Sequence, residues 1–283
     1  MNQFLNSYFT YPTLMTKKIL ASLLVTCASF ALTNAAQAQE AFSPIPQVTD
    51  GWRVSVSPYA WLPTVNTTDS GGGPASANVD LSLNQIVSNI KSGGMIAGEV
   101  HYGKWGVSLD LANAVVSHAS SVSYHGDPAY RIGDKATLQA TLFNAMGSYT
   151  AFNSKDLYVD ALLGVRWISL TTSFDAVLIA DPAIRANPSS VASATYGVLG
   201  VNSRYRIMGS NWYVPLYADI GTAGGPNHQT WQAMTGVGVA LSKMVDASLT
   251  YRAIGFDLKS GNNNQDLIKG LFHGPQLMVT FNF

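Results

Sequence analysis

The side chains with chemical potential are few, and they stand one at a time. Arg53, Glu99, Asp110, Asp160, Arg166, Arg204, Arg206, Asp219, Asp246 and Arg252 each sit between apolar, aromatic or small neighbours. Five are acids and five are arginines, with no lysine among them. Arginine keeps its charge when buried, and its planar fork matches a carboxylate bidentately. The chemistry this set offers is ion pairing. Ion conduction or a proton path along the same residues is the alternative use.

Catalytic patterns are absent. There is no phosphate-binding glycine loop, no G-x-S-x-G and no H-E-x-x-H. The histidines are His101, His118, His125, His228 and His273. Asp127 near His125 suggests a hydrolase site at one end of the molecule, and the last four histidines suggest metal capture. Scattered loop histidines are more often merely solvated. No catalytic residue, metal ligand or cofactor is therefore expected. The single cysteine, Cys27, excludes an internal disulfide framework. Sixteen basic and sixteen acidic side chains balance, so nothing marks a nucleic-acid partner.

The elements that would position those charges have period two. Trp212, Val214, Leu216, Ala218 and Ile220 are apolar at every second position, as are Val245, Ala247, Leu249, Tyr251 and Ala253. Leu277, Val279, Phe281 and Phe283 repeat the pattern at the end of the chain. This is the strand signal. Only 11% of residues are charged, against about 25% in an average soluble domain. Alternating segments of about ten residues in a charge-poor chain are what a transmembrane barrel requires: one face meets lipid, and closure pairs every backbone group.

Short turns sort the segments into hairpins. Strands are predicted at 52–62, 95–102, 105–116, 137–152, 157–174, 193–208, 212–221, 229–242, 245–256 and 272–283. Tight turns alternate with longer connections at 63–94, 117–136, 175–192, 222–228 and 257–270. The expected fold is all-β: a closed antiparallel transmembrane β-barrel of about ten strands, with 8–12 allowed, whose first and last strands pair. Short turns and both termini would be periplasmic. The isolated charges, together with His101, then fall on the inward face, where a narrow lumen is filled rather than open. Outward, an arginine at the midplane would cost about 2–4 kcal/mol. The parity of 137–152 is ambiguous, with apolar residues on both faces.

Aromatic placement agrees. Trp52, Trp105, Trp212 and Phe283 cluster at the tight-turn end and form the expected girdle, since amphipathic rings prefer the membrane interface. Trp61, Trp231 and Phe256 would serve the opposite end. Pro58 and Pro215 fall inside strands, where each removes a ladder hydrogen bond, and a bulge at each is the expected repair.

The leading residues are for targeting. Lys17 and Lys18, an apolar run to Leu32 and Ala36-Gln37-Ala38 make a Sec signal with its cleavage site. The expected organisation is a signal peptide over 1–38 with its true start at Met15, a periplasmic segment over 39–50, and the barrel over 51–283. In the first long connection, Leu83, Ile86, Val87 and Ile90 have helical spacing. Ser82 and Gln85 make a capping box, and Gly93-Gly94 is the expected stop. The helix would cover the barrel mouth or rest on the membrane.

The segments 52–63, 103–110 and 159–167, the last containing Gly164-Val165-Arg166-Trp167, together with 231–242, Tyr251-Arg252 and 274–283, resemble a family of uncharacterised proteobacterial outer-membrane β-barrel proteins. The resemblance spans nearly the whole chain after the signal and implies a barrel in the outer membrane. It carries no catalytic residues. Expected partners are outer-membrane lipids and lipopolysaccharide, and, during biogenesis, the barrel-assembly machinery that reads a last strand ending in an aromatic residue. A structural envelope role comes first, a small-solute porin-like channel second, and a surface lipid- or peptide-cleaving enzyme third.

Overall fold

The computed structural model describes residues 42–69, 79–123, 131–178, 185–187, 189–224, 228–260 and 266–283. The expected signal peptide, and His125 with Asp127, lie outside the described residues.

In chain order the elements are β1 (Trp52–Trp61), β2 (Thr64–Asp69), β3 (Val79–Leu81), α1 (Leu83–Asn89), β4 (Ile90–Tyr102), β5 (Trp105–Ser123) and β6 (Arg131–Asn153). Then come β7 (Leu157–Leu178), β8 (Arg185–Ala186), β9 (Ser189–Arg206), β10 (Trp212–Thr222), β11 (Gln229–Ala240), β12 (Val245–Ser260) and β13 (Asp266–Asn282). Ten of these form one antiparallel barrel in the order β1-β4-β5-β6-β7-β9-β10-β11-β12-β13. The circle closes where β1 pairs β13, Ser55 opposite Asn282 and Trp61 opposite Gln276. Closure leaves no unpaired edge. The remaining short strands are additions: β8 on β7, β2 on the far half of β13, and β3 on β2.

At one end the hairpins turn tightly, and Gly103 takes a positive φ of 58° that favours glycine. At the other end the long connections meet. After β1 the chain bends at Leu62 and Pro63 and resumes along β13 as β2. Gly274 makes the bend possible, because a Cβ there would meet the Leu62 carbonyl oxygen at 2.2 Å.

Strand parity follows the period-two pattern. Trp212, Leu216 and Ile220 are exposed outward while Tyr213 and Asp219 are buried inward. In β6 the ambiguous parity resolves with Leu142, Asn144, Met146, Ser148 and Thr150 inward; apolar residues occur on both faces because the inward Leu138, Ala140 and Leu142 belong to an apolar part of the interior.

Four expectations need correction. No bulge accompanies either proline. Against β13, Pro58 lies between the rungs Val56–Phe281 and Tyr59–Met278, and against β11, Pro215 lies between Tyr213–Gly238 and Leu216–Thr235. Register is identical on both sides, so the ladder skips rungs where the donor is missing. Gly93 and Gly94 do not stop the helix. The helix ends at Asn89, with Ile90 already extended, and both glycines belong to β4. Trp61 and Phe256 are not outward aromatics; both are buried inside the barrel, because they share parity with Tyr59 and Arg252. Finally, β5, β6 and β7 reach 19, 23 and 22 residues, longer than predicted and well beyond the roughly 9–11 needed to cross a bilayer.

Candidate functional site: a filled lumen

Every isolated charge named from the sequence lies on an inward strand position, and the interior divides into three tiers. The middle tier is a hydrogen-bonded plate. Arg166 on β7 is fully buried and uses all five of its N–H groups. Its Nη1 and Nη2 donate to the two oxygens of Asp219 on β10, the first at 2.9 Å. Nε donates to Asn144 Oδ1 at 2.7 Å, and the remaining protons reach Thr230 and Gln232 at 3.1 and 3.3 Å. Such saturation lets a guanidinium stay charged without water.

A second pair lies beside it. Arg252 Nη2 donates to Asp110 at 2.8 Å and to Gln232 Oε1 at 2.9 Å, and Nη1 donates to the Tyr59 hydroxyl at 3.2 Å and Gln276 Oε1 at 3.4 Å. Two neutral amides join the pairs. Asn144 accepts from Arg166 and donates to Asp110 at 3.1 Å, while Gln232 accepts from both arginines. The plate draws side chains from eight strands: β1, β5, β6, β7, β10, β11, β12 and β13. The fit is tight at Gly200, where a Cβ would meet Asp219 Cβ at 2.6 Å.

The tier nearest the tight turns is looser. Arg204 lies 3.6 Å from Asp246 and 4.3 Å from the Tyr213 ring centroid. Tyr213 and Asn282 also donate to Asp246. Arg53 donates to the Tyr158 hydroxyl at 2.9 Å, which in turn donates to Asp160 at 2.9 Å. Glu99 and Asp160 flank His101, at 3.4 and 4.0 Å from Nε2. The five-to-five balance therefore does not become five ion pairs. Arg206 donates to the Ser210 carbonyl, and two of the acids face a histidine.

The segment ahead of β1 completes this tier. Pro44 and Ile45 are buried. The Pro44 and Gln47 carbonyls accept from Arg204 at 3.0 Å and Arg53 at 2.8 Å, and the Pro46 carbonyl accepts from Asn153 at 2.9 Å. Nothing in the sequence of 42–50 signalled this. The segment has no periodicity, and carbonyl acceptors leave no residue-type signature.

The tier toward the loops is apolar. Trp61, Val65, Ile86, Leu142, Ile168, Leu170, Tyr196, Ile254, Phe256 and Phe272 form one buried cluster. α1 contributes Ile86 to it, while Val87 is exposed, so the helix faces the barrel mouth. The returning arm of its capping box is present, with Gln85 Oε1 accepting the Ser82 N–H at 2.9 Å. Within the cluster lies a chamber of about 740 Å³, its opening to solvent included.

The outer face carries a broad apolar band. Leu109, Leu163, Leu199, Ile220, Leu249 and many others are exposed. At the tight-turn end, Trp52, Trp105, Trp212 and Phe283 all point outward, the first 71% exposed. Trp52 packs on Tyr102 and Trp105 on Tyr149, with centroids 5.2 and 4.8 Å apart. Those two tyrosines were not singled out, although their parity matches. His273 also points outward, held to the Tyr251 hydroxyl, so it does not face the lumen. Among the described residues, no group of three metal-ligating side chains gathers.

No known family and no curated protein matches the chain. Among solved structures, the outer-membrane protease OmpT of Escherichia coli matches with a TM-score of 0.49 and 7% identity, over 86% of this chain and 100% of that one. The translocator domain of the autotransporter NalP of Neisseria meningitidis gives 0.35 and 9%, over 95% and 98%. Ail of Yersinia pestis gives 0.31 and 10%, over 83% and 100%.

Proposed function

We propose that this chain is an outer-membrane barrel stoppered by its own side chains, with a structural role in the Gram-negative envelope. One observation carries the reading: the plate centred on Arg166 and Arg252 joins eight walls of the lumen through continuous hydrogen bonds. A hydrated channel of this size would leave its charges facing water. Here the Arg166–Asp219 pair is fully buried and Arg252 nearly so, Asp110 keeps 21% of its side chain exposed, and the groups are satisfied mainly by one another and by neutral side chains. A ten-strand barrel is close to the size at which interior side chains fill the lumen. The turn-end tier and the 42–47 segment add a second stopper beneath the plate.

Membrane residence is supported by the exposed apolar band, far larger than the patches soluble monomers tolerate, and by the aromatic ring at the tight-turn end. The proposed surroundings are outer-membrane lipids and lipopolysaccharide. Assembly machinery would receive the strand ending in Phe283 after signal cleavage behind Ala38. Membership of a proteobacterial barrel family belongs to the same proposal.

The test is conductance of the purified protein in planar lipid bilayers, after recovery from the outer-membrane fraction as a heat-modifiable band. The expected result is no steady conductance above background. A large, steady conductance would give the lumen to solute passage, and recovery in the soluble periplasm would remove the membrane reading altogether.

A further inference from the structure

We infer that the apolar chamber above the plate receives one acyl chain of a membrane lipid, admitted sideways through a split in the wall between β1 and β4. The inference rests on the membrane reading proposed above. The split shows in the strand pairing. β1 and β4 pair rung by rung from Trp52–Tyr102 to Pro58–Ile96 and no further. Above that rung each strand keeps only its other neighbour. Tyr59, Ala60 and Trp61 stay on β13, and β4 stays on β5 as far as Ile90. The Trp61 backbone N–H donates to the Met95 thioether sulfur at 3.1 Å, where a continued ladder would supply a β4 carbonyl. Among the described residues, the β4 edge over 91–95 has no backbone partner on its β1 side. α1 closes the top, because it joins β3 to β4 directly. The split is therefore a window above the closed ring.

The chamber lies behind this window. Trp61 and Val65 line it from one flank and Met95 from the other, with Ile86 of α1 above. The small Ala112, Ala114 and Ala140 leave room along β5 and β6 as far as Ile168 and Leu170 on β7. Outside, the window stands at the upper edge of the apolar band. Ile96 and Leu111, a paired rung at its lower rim, are both exposed apolar residues. One outward row higher the wall turns polar at Asn113 and Thr141, whose side chains bond each other at 2.7 Å. That change marks the level where lipid chains give way to headgroups. Gly94, on the window's β4 edge, would meet nothing within 4 Å if it carried a Cβ, so the approach is open.

The occupant follows from the surroundings on both sides. No charged side chain lines the chamber, and a headgroup would lose its hydration there without compensation. A chain entering from the bilayer leaves one apolar medium for another, desolvates nothing polar, and gains packing contacts along the walls. The headgroup stays outside at the interface.

The test uses the unaltered chain in nanodiscs doped with phosphatidylcholine carrying a diazirine on one chain, placed either at the methyl end or next to the ester. After photolysis, adducts are assigned residue by residue by mass spectrometry. Both probes should modify the outward band, at residues such as Leu163 and Leu199. The methyl-end probe should also modify the inward Ile168 or Leu170, and the ester-end probe Met95 or Trp61 at the window. Ala140→Phe, which fills the path between them, should lose the adducts on β7 and keep the outward ones. Should that variant fail to give a heat-modifiable band, the labelling of the unaltered chain decides alone.

Adducts confined to outward residues would overturn the inference and leave the membrane reading intact. A barrel unlabelled even on its outward band would overturn both. Inward adducts in the reverse order, ester end on β7 and methyl end at the window, would overturn sideways entry. Inward labelling by a diazirine-bearing alkane added from buffer, with none from the phospholipid, would give the chamber to a free hydrocarbon instead. Whether the plate below blocks conduction is read separately by conductance.

Discussion

Asp219→Ala isolates the energetics of the plate. It removes both carboxylate oxygens from Arg166 and leaves the guanidinium with its three neutral acceptors, Asn144, Thr230 and Gln232. A hydrogen bond to a charged partner contributes about 1.5–3 kcal/mol, and breaking a buried ion pair from one side costs about 3–5 kcal/mol. Because three acceptors remain, the lower part of that range applies, and a loss of about 3 kcal/mol is expected. Arg166→Met should cost at least as much, since it orphans the buried carboxylate and releases Asn144 and Thr230 as well. The pair Arg166→Met with Asp219→Leu removes both charges. Gln232 still binds Arg252, and Asn144 still donates to Asp110, so the double substitution should cost only about 1–2 kcal/mol. The single effects should therefore exceed the double by at least about 4 kcal/mol in sum, a coupling far outside the additivity of independent sites. Reversible urea unfolding of the barrel in lipid vesicles, followed by tryptophan fluorescence, measures all four proteins. An Asp219→Ala barrel within about 0.5 kcal/mol of the parent, or single effects that simply add, would refute the reasoning. The plate would then be wet enough for water to replace the lost partner.

Two further outcomes follow from the same geometry. Ser55 and Asn282 face each other across the closing ladder, between strands whose neighbouring rung, Val54 with Phe283, exchanges both backbone hydrogen bonds; Ser55→Cys with Asn282→Cys should therefore cross-link under oxidation in a Cys27→Ser background, and failure while a matched pair in a tight hairpin succeeds would contradict closure. Ile45→Asp puts a charge on a buried apolar position in the turn-end stopper, so urea unfolding should show a loss of about 1–3 kcal/mol, with faster proteolysis after residue 41; an unchanged protein would mean that the segment does not hold the lumen end.

The two sources of order separate cleanly along this chain. Period two is a covalent consequence of extended backbone, so the inward or outward assignment of Asp110, Asp160, Asp219, Asp246 and Arg252 was legible from their apolar neighbours. The strand count followed from turn chemistry at positions such as Gly103, and closure from the rule that no edge can be left unpaired. The same parity already held the answer for Trp61 and Phe256, which share it with Tyr59 and Arg252; proximity to a strand end was the weaker guide. Partnership was not legible. Arg166 meets Asp219 across 53 residues, and Arg252 meets Asp110 across 142. Which inward residues stand at one height depends on the stagger accumulated from strand to strand around the whole circle, and no local pattern encodes that sum. The same cause hid Asn144 and Gln232, ordinary inward amides until the register sets each between two charges. It also hid the division of the lumen into a polar plate and an apolar chamber, for the layers cut across all the strands at once. Tertiary structure alone placed the backbone carbonyls of 44 and 47 beside Arg204 and Arg53, because an acceptor that every residue carries becomes specific only through position.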